Sequence, residues 1–359
     1  MLANGGQKTA FITGITGQDG SYLSELLLQK GYQVHGLARR NSSADGINLK
    51  NLRHVESQIV FHKGDITDPH SLTKILGEVR PSEIYHLAAQ SHVSQSFETP
   101  DYTMQVNTTG TLNLLQAIIV CRLEKHTRLY NAATSELFGG TSGPASMLSE
   151  ESPFSPKSPY AISKLAAYWL VRNYRDSKGL WAVNGILFNH ESARRGSGFV
   201  TMRIARGVAA HVLAIADKPL TLAGVNMARD WGHARDYVQG IWLMLQQEQP
   251  RDMVLATGKQ HTVQEFVEAA FRHVGIRLRW LFGPDKRIIG AVDLDTEKTV
   301  LQIDQDLQRA VEVPCLLGDS TLAKKTIGWQ PVIPFESLVA EMVDAELSRL
   351  KADGCQITA

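Results

Sequence analysis

Short apolar runs alternate along the first half of the chain with stretches whose apolar residues recur every three or four positions. The runs predict strands at Thr9–Ile12, Gln33–Leu37, Ile59–Lys63, Glu83–Leu87, Arg128–Ala132 and Trp181–Leu187. The longer periodic stretches predict helices at Tyr22–Lys30, Ser71–Glu78, Thr109–Val120 and Pro159–Lys178. Alternation at this spacing specifies a parallel sheet with helices on both faces. A seventh strand, Met253–Ala256, follows the helical stretch Ala234–Glu248, and Thr262-Val263-Gln264-Glu265 has the spacing of a capping box. Segments after Asn189 and again after Thr262 are more irregular and rich in Gly, Arg and Pro.

The fold expected is therefore α/β. A Rossmann-type doubly wound parallel sheet spans residues 8–188 and is completed by about 233–260. A smaller, interleaved C-terminal lobe from 189–232 and 261–350 would lie over the carboxyl edge of the sheet, where ligands bind in such folds.

Composition narrows the function classes. With 37 basic and 36 acidic residues among 359, there is no electrostatic case for nucleic acid or a membrane surface. Three cysteines (Cys121, Cys315, Cys355) do not make a disulfide scaffold. No apolar run approaches a membrane span, and the opening residues lack the pattern of a secretory signal. A cytoplasmic enzyme is the expectation.

Gly14-Ile15-Thr16-Gly17-Gln18-Asp19-Gly20 lies directly between the first strand and the first helix. Glycines at such a turn let backbone approach a pyrophosphate, to which the helix offers N–H groups and its positive end. The spacing is GxxGxxG, not GxGxxG, which hints at the short-chain dehydrogenase type. Strand two runs into Arg39 and Arg40 where an NAD site usually offers a carboxylate for the ribose 2′-hydroxyl. Arginines there suit a 2′-phosphate, so NADP is expected. By topology, Asp65 and the run Leu87, Ala88, Ala89, Gln90, Ser91 would lie beside the adenine and the nicotinamide ribose.

Tyr160 and Lys164 stand four apart at a helix start, hence on one face. A nearby ammonium would lower the tyrosine pKa from about 10 toward the range of a working base. Thr134, after strand five, could hydrogen-bond the oxygen that Tyr160 deprotonates. A carbonyl reductase needs no more than this. Glu136 is extra: it could take a proton alpha to a carbonyl and so permit loss of a β-hydroxyl as water. No companion His or Cys gives His190 a metal spacing, and no metal is expected. For a diphosphate, cations are available in the lobe at Arg194, Arg203, Arg229 and Arg309.

The stretches GITGQDGSYLSELLLQKGYQVHGLARR, HLAAQSHVSQSFE, TSELFG, SPYAISK, GILFNHESARRG, FVT, ARDWGHARDYV and IGWQP run in order from about residue 14 to residue 331. In them the chain resembles the GDP-mannose 4,6-dehydratase family of extended short-chain dehydrogenases/reductases. The resemblance implies that Tyr160 deprotonates the C4 hydroxyl, Glu136 removes the C5 proton, and water leaves from C6. Thr134 would polarise the C4 oxygen, and Lys164 would hold the nicotinamide ribose. Ile66, Tyr102, His190 and Arg195 would join Gly14 to Asp19, Arg39, Arg40 and the residues named above around NADP. Asn189, Val200, Arg203 and Arg229 would contact a GDP-sugar. The family also implies a homo-oligomer, expected as a tetramer with contacts in the segment Arg39–Leu49.

Some positions depart from the family pattern. Phe138 replaces a tyrosine, Ala193 a proline, and Ala223-Gly224 a Gly-Asn pair, while Val200-Thr201-Met202-Arg203 loses one basic residue. These leave open another GDP-sugar, such as a GDP-heptose. Two other readings differ in chemistry: an NADP-dependent 4-epimerase or reductase, which has no use for Glu136, and a non-catalytic dinucleotide sensor.

Overall fold

Each apolar run of the first half becomes a strand of one sheet in the computed structural model, which describes residues 7–39, 49–140, 147–216, 218–307, 311 and 313–357. The strands are β1 (Thr9–Thr13), β2 (Gln33–Ala38), β3 (Ile59–Lys63), β4 (Glu83–His86), β5 (Arg128–Thr134) and β6 (Trp181–Leu187). The chain then leaves this sheet for β7 (Asn189–Glu191), β8 (Leu220–Leu222), β9 (Ala228–Arg229) and β10 (Trp231–His233), and returns as β11 (Met253–Leu255). The order is β11-β6-β5-β4-β1-β2-β3, with every pairing parallel. Succession runs outward from β1 to β3 and then from β4 the other way. The reversal opens a crevice at the carboxyl ends of β1 and β4.

Period-two alternation decides what each face buries. Phe11, Ile84, Leu129 and Ala182 pack with Leu72, Ile75, Leu114 and Val171. These come from α2 (Pro69–Val79), α5 (Gly110–Val120) and α6 (Pro159–Lys178). Their neighbours Ala10, Tyr85, Tyr130 and Val183 pack on the other side with Leu23, Leu27 and Ile241, from α1 (Gln18–Gln29) and α8 (Ala234–Leu245). Between α2 and α5 lie α3 (Val93–Glu98) and α4 (Pro100–Met104). The first helix begins at Gln18 rather than at Tyr22, because the glycine turn feeds straight into it.

The remaining chain builds a second core. Ile204 and Val208 of α7 (Val200–Val212) meet Phe266 and Phe271 of α9 (Val263–His273), together with Leu222, Leu301 and Met342. The capping box forms: Thr262 Oγ1 accepts from Glu265 N at 3.0 Å, and Thr262 N donates to Glu265 Oε2 at 2.7 Å. Among the described residues no helix is long and apolar enough to cross a membrane. Residues 40–48, most of the segment expected in tetramer contacts, lie outside the described residues.

Buried Asp230 ties this second core to the sheet. Its Oδ1 accepts from Thr257 N and Oγ1 at 2.8 and 2.6 Å, and its Oδ2 accepts from Gly258 N and Gly318 N at 2.9 and 3.3 Å. Burial pushes its carboxyl up to about 6 against those hydrogen bonds. Asp230→Ala would leave several N–H groups unpaired and is expected to cost about 3 kcal/mol or more, read from the urea midpoint. Asp230→Asn keeps one acceptor oxygen and should cost less; an unchanged midpoint in the alanine variant would remove this role.

Candidate active site

The loops at the carboxyl edge enclose a cleft of about 980 Å³. At one end the turn after β1 passes against the loop after β4. Gly14 has φ +73°, and a Cβ there would lie 2.7 Å from Ala88 N, so the crossing requires glycine. Gly17 precedes α1 without a side-chain cap. Gly14, Thr16, Gly17, Gln18 and Asp19 line the cleft beside the positive end of that helix, a setting that suits a pyrophosphate. Ile15, by contrast, turns its side chain into the core and is not among the residues that line the cleft.

Arg39, at the end of β2, lines the cleft and donates to Tyr102 OH at 2.9 Å. Arg40 and Arg309 lie outside the described residues. Asp65 is fixed by Thr67 N and Oγ1 at 2.9 and 2.8 Å, and Ile66 and Leu87 to Ser91 continue the wall. A π-helical turn over Gln105–Thr109 presents Asn107 to that wall. Its side chain accepts from Gln90 N at 2.8 Å and donates to Gln90 O at 3.0 Å and to Ser163 Oγ at 2.9 Å. The loop and the helix carrying Tyr160 and Lys164 are thereby held together.

Thr134, Glu136, Tyr160 and Lys164 meet on the cleft floor, each less than a tenth exposed. Ser158 Oγ accepts from Ala161 N at 3.1 Å and Pro159 opens α6, which puts Tyr160 in its first turn. Thr134 Oγ1 accepts from Glu136 N at 3.2 Å, and its hydroxyl is hydrogen-bonded with the Tyr160 phenol. Burial pushes the Tyr160 phenol up to about 12; Thr134 and Arg195 oppose this, and Glu136 and Asp19 add to it. The depressed phenol expected from sequence is thus reversed. Lys164 Nζ donates to Ala132 O at 2.8 Å, and burial lowers its pKa to about 8.

His190, on β7, closes the cleft at the helix end. Its Nε2 lies 2.9 Å from Asp19 Oδ2 and its Nδ1 2.8 Å from Phe188 O, and its ring stacks on Tyr237 at 4.5 Å. A carboxylate and a carbonyl only accept, so both ring nitrogens carry protons. Burial pulls His190 down, yet Asp19 and Phe188 O outweigh it and the net direction is up; Asp19 is correspondingly held low.

Asn189, Val200, Arg203 and Arg229 line the cleft, and so does Arg195. Arg194 does not: its guanidinium reaches Glu25 Oε1 at 2.5 Å and stacks over Tyr22 at 3.9 Å, on the far side of α1. The Glu25 carboxylate holds Arg194, while Arg195 is among the residues that line the cleft. Sequence reasoning missed Glu191, which is buried and accepts from Thr201 Oγ1 at 2.8 Å and pairs with Arg195 Nε at 2.9 Å. Its place in the HES triplet was the available signal. It also missed His92, Phe199, Leu222, Met227 and Trp231, all on the cleft wall. Of the family departures, Phe138 joins an aromatic cluster with Phe154 and Phe188, and Met202 is in the second core. Ala223 and Gly224 line the cleft.

The Asp19–His190 pair dictates a pH dependence. His190, raised above 6.5, stabilises fully below that value and ceases to do so as pH rises through its folded pKa. Asp19, lowered from 3.8, contributes above that value and is lost as pH falls through its folded pKa. His190→Gln should therefore lower the unfolding temperature most at about pH 6, with the gap to the parent narrowing in alkali. A gap independent of pH would exclude the charged pair.

The model of the GDP-mannose 4,6-dehydratase family matches residues 11–342. A GDP-mannose 4,6-dehydratase of Vibrio cholerae is 47% identical over 95% of this chain and 94% of its own. One of Homo sapiens is 46% identical over 97% and 93%. Among solved structures, RMD from Pseudomonas aeruginosa complexed with NADPH superposes with a TM-score of 0.75 at 22% identity, covering 96% of this chain and all of that one. The UDP-glucose 4-epimerase of Thermus thermophilus with NAD gives 0.76 at 24% over 94% and 98%. These likenesses extend the fold across the chain, and the sequence match is narrower: the chain belongs to the GDP-mannose 4,6-dehydratase family.

Proposed function

We propose that the chain converts GDP-mannose to GDP-4-keto-6-deoxymannose, with NADP as its resident cofactor. The observation that carries this is Glu136: a buried carboxylate on the floor shared by Thr134, Tyr160 and Lys164. Oxidation at C4 acidifies the C5 proton, and only then has a carboxylate at this place a task. When bound, oxidised NADP would supply the hydride acceptor for oxidation at C4 and the hydride donor for reduction at C6.

The protein's own groups handle the protons. Tyr160 accepts the C4 hydroxyl proton, with the Thr134 hydroxyl donating to the same oxygen. Lys164 keeps a cation beneath the ribose end of the cleft. Glu136 takes the C5 proton and passes a proton to the departing C6 hydroxyl, which leaves as water. As the hydride returns to C6, C5 takes a proton from solvent and Tyr160 releases the one it accepted, so the balance is loss of one water. Arg39 supports NADP over NAD, since a guanidinium offers a 2′-phosphate what a carboxylate would refuse. Arg203 and Arg229 are proposed for the diphosphate.

Arg39→Ala should weaken NADP binding about tenfold or more while leaving NAD binding within about twofold, measured by nucleotide titration. Equal losses for both nucleotides would withdraw the 2′-phosphate role. For the reaction, the chain incubated with GDP-mannose and NADP+ in heavy water should yield a nucleotide lighter by one water that carries solvent deuterium. Glu136→Gln should lower this rate about 10²- to 10⁴-fold. An unchanged rate in that variant would remove Glu136 from the dehydration. An untouched nucleotide with the parent chain sends the search to other GDP-sugars.

A further inference from the structure

The side chain of His92 bridges two segments that line the cleft. His92 leaves the loop after β4, where its backbone is fixed by Gln90: its N–H donates to Gln90 Oε1 at 2.5 Å, and its carbonyl accepts from Gln90 Nε2 at 3.2 Å. Its Nε2 meets Gly198 O at 3.2 Å, and its ring packs on Phe199 at 5.2 Å. A carbonyl only accepts, so Nε2 carries the proton. The approach explains the glycine: a Cβ on Gly198 would lie 2.6 Å from that nitrogen.

The contact continues inward. Phe199 precedes α7, and the Arg195 guanidinium lies 3.6 Å over its ring. Arg195 is in turn one of the charges acting on Tyr160. Val200 and Arg203, in the first turns of α7, follow directly. Resting on the dehydratase reading above, we propose that His92 is a positioning residue: by bridging to Gly198 and Phe199 it sets where Arg195, Val200 and Arg203 stand relative to Tyr160 and Glu136. No contact between His92 and the reacting atoms is needed. The sugar nucleotide would meet a wall already in place, and this belongs to binding, so the bridge should show in KM before kcat.

Two variants break the bridge differently. His92→Phe keeps an aromatic ring against Phe199 and removes the donor; Gly198→Ala keeps the imidazole and pushes it away. Both should raise the KM for GDP-mannose about fivefold to tenfold with kcat changed less than about twofold. Amide hydrogen exchange over residues 196–203 should quicken in both, with no substrate present. His92→Gln, which retains an N–H donor, should recover most of the loss. Unchanged exchange in both variants would overturn the bridge. Faster exchange with KM unmoved, in a parent that turns over GDP-mannose, would overturn its positioning role. A parent inactive on GDP-mannose but showing the exchange difference would instead sink the substrate assignment and keep the bridge.

Discussion

The ion pair between Asp19 and His190 joins the parts that must agree for a cleft to exist. Asp19 belongs to the first turn of α1, and His190 to β7, the first strand beyond the large sheet. Two further bonds reinforce the seam: Gln18 donates to His190 O at 3.0 Å and accepts from Ser192 Oγ at 2.8 Å. Burying a charged pair costs solvation that its Coulomb attraction does not always offset. Here Phe188 O and Gln18 satisfy the remaining polar atoms, and the Tyr237 ring covers the imidazole. What the pair secures is register: the helix end suited to an anion is locked to the strand that leads into the far part of the cleft lining.

Much of this was legible because the signals are local. The start of α6 is set by Ser158 and Pro159 and places Tyr160 and Lys164 without tertiary information. The glycine turn and the alternation of Phe11 with Ala10 and Ile12 likewise follow from backbone geometry and period. The failures have a different origin. Arg194 and Arg195 are neighbours of identical type, and only Glu25 on one side and Glu191 on the other separates them. Both carboxylates come from tertiary contact or a turn that periodicity does not encode. The π turn at Gln105–Thr109 is similarly invisible, since it adds one residue per turn to an otherwise ordinary helical pattern.

The tyrosine exposes a subtler gap. Four residues of helix bring the Lys164 ammonium to the same face as Tyr160, from which proximity and a lowered phenol pKa follow naturally. In the fold the ammonium is bonded to Ala132 O, and burial dominates both groups: the phenol rises and the ammonium falls. Each is thus displaced toward its neutral form, as a dry floor requires. The chain by itself does not hold a phenolate ready. Of the groups acting on the phenol, Thr134 and Arg195 pull it back toward its ordinary value and Glu136 and Asp19 push it further up.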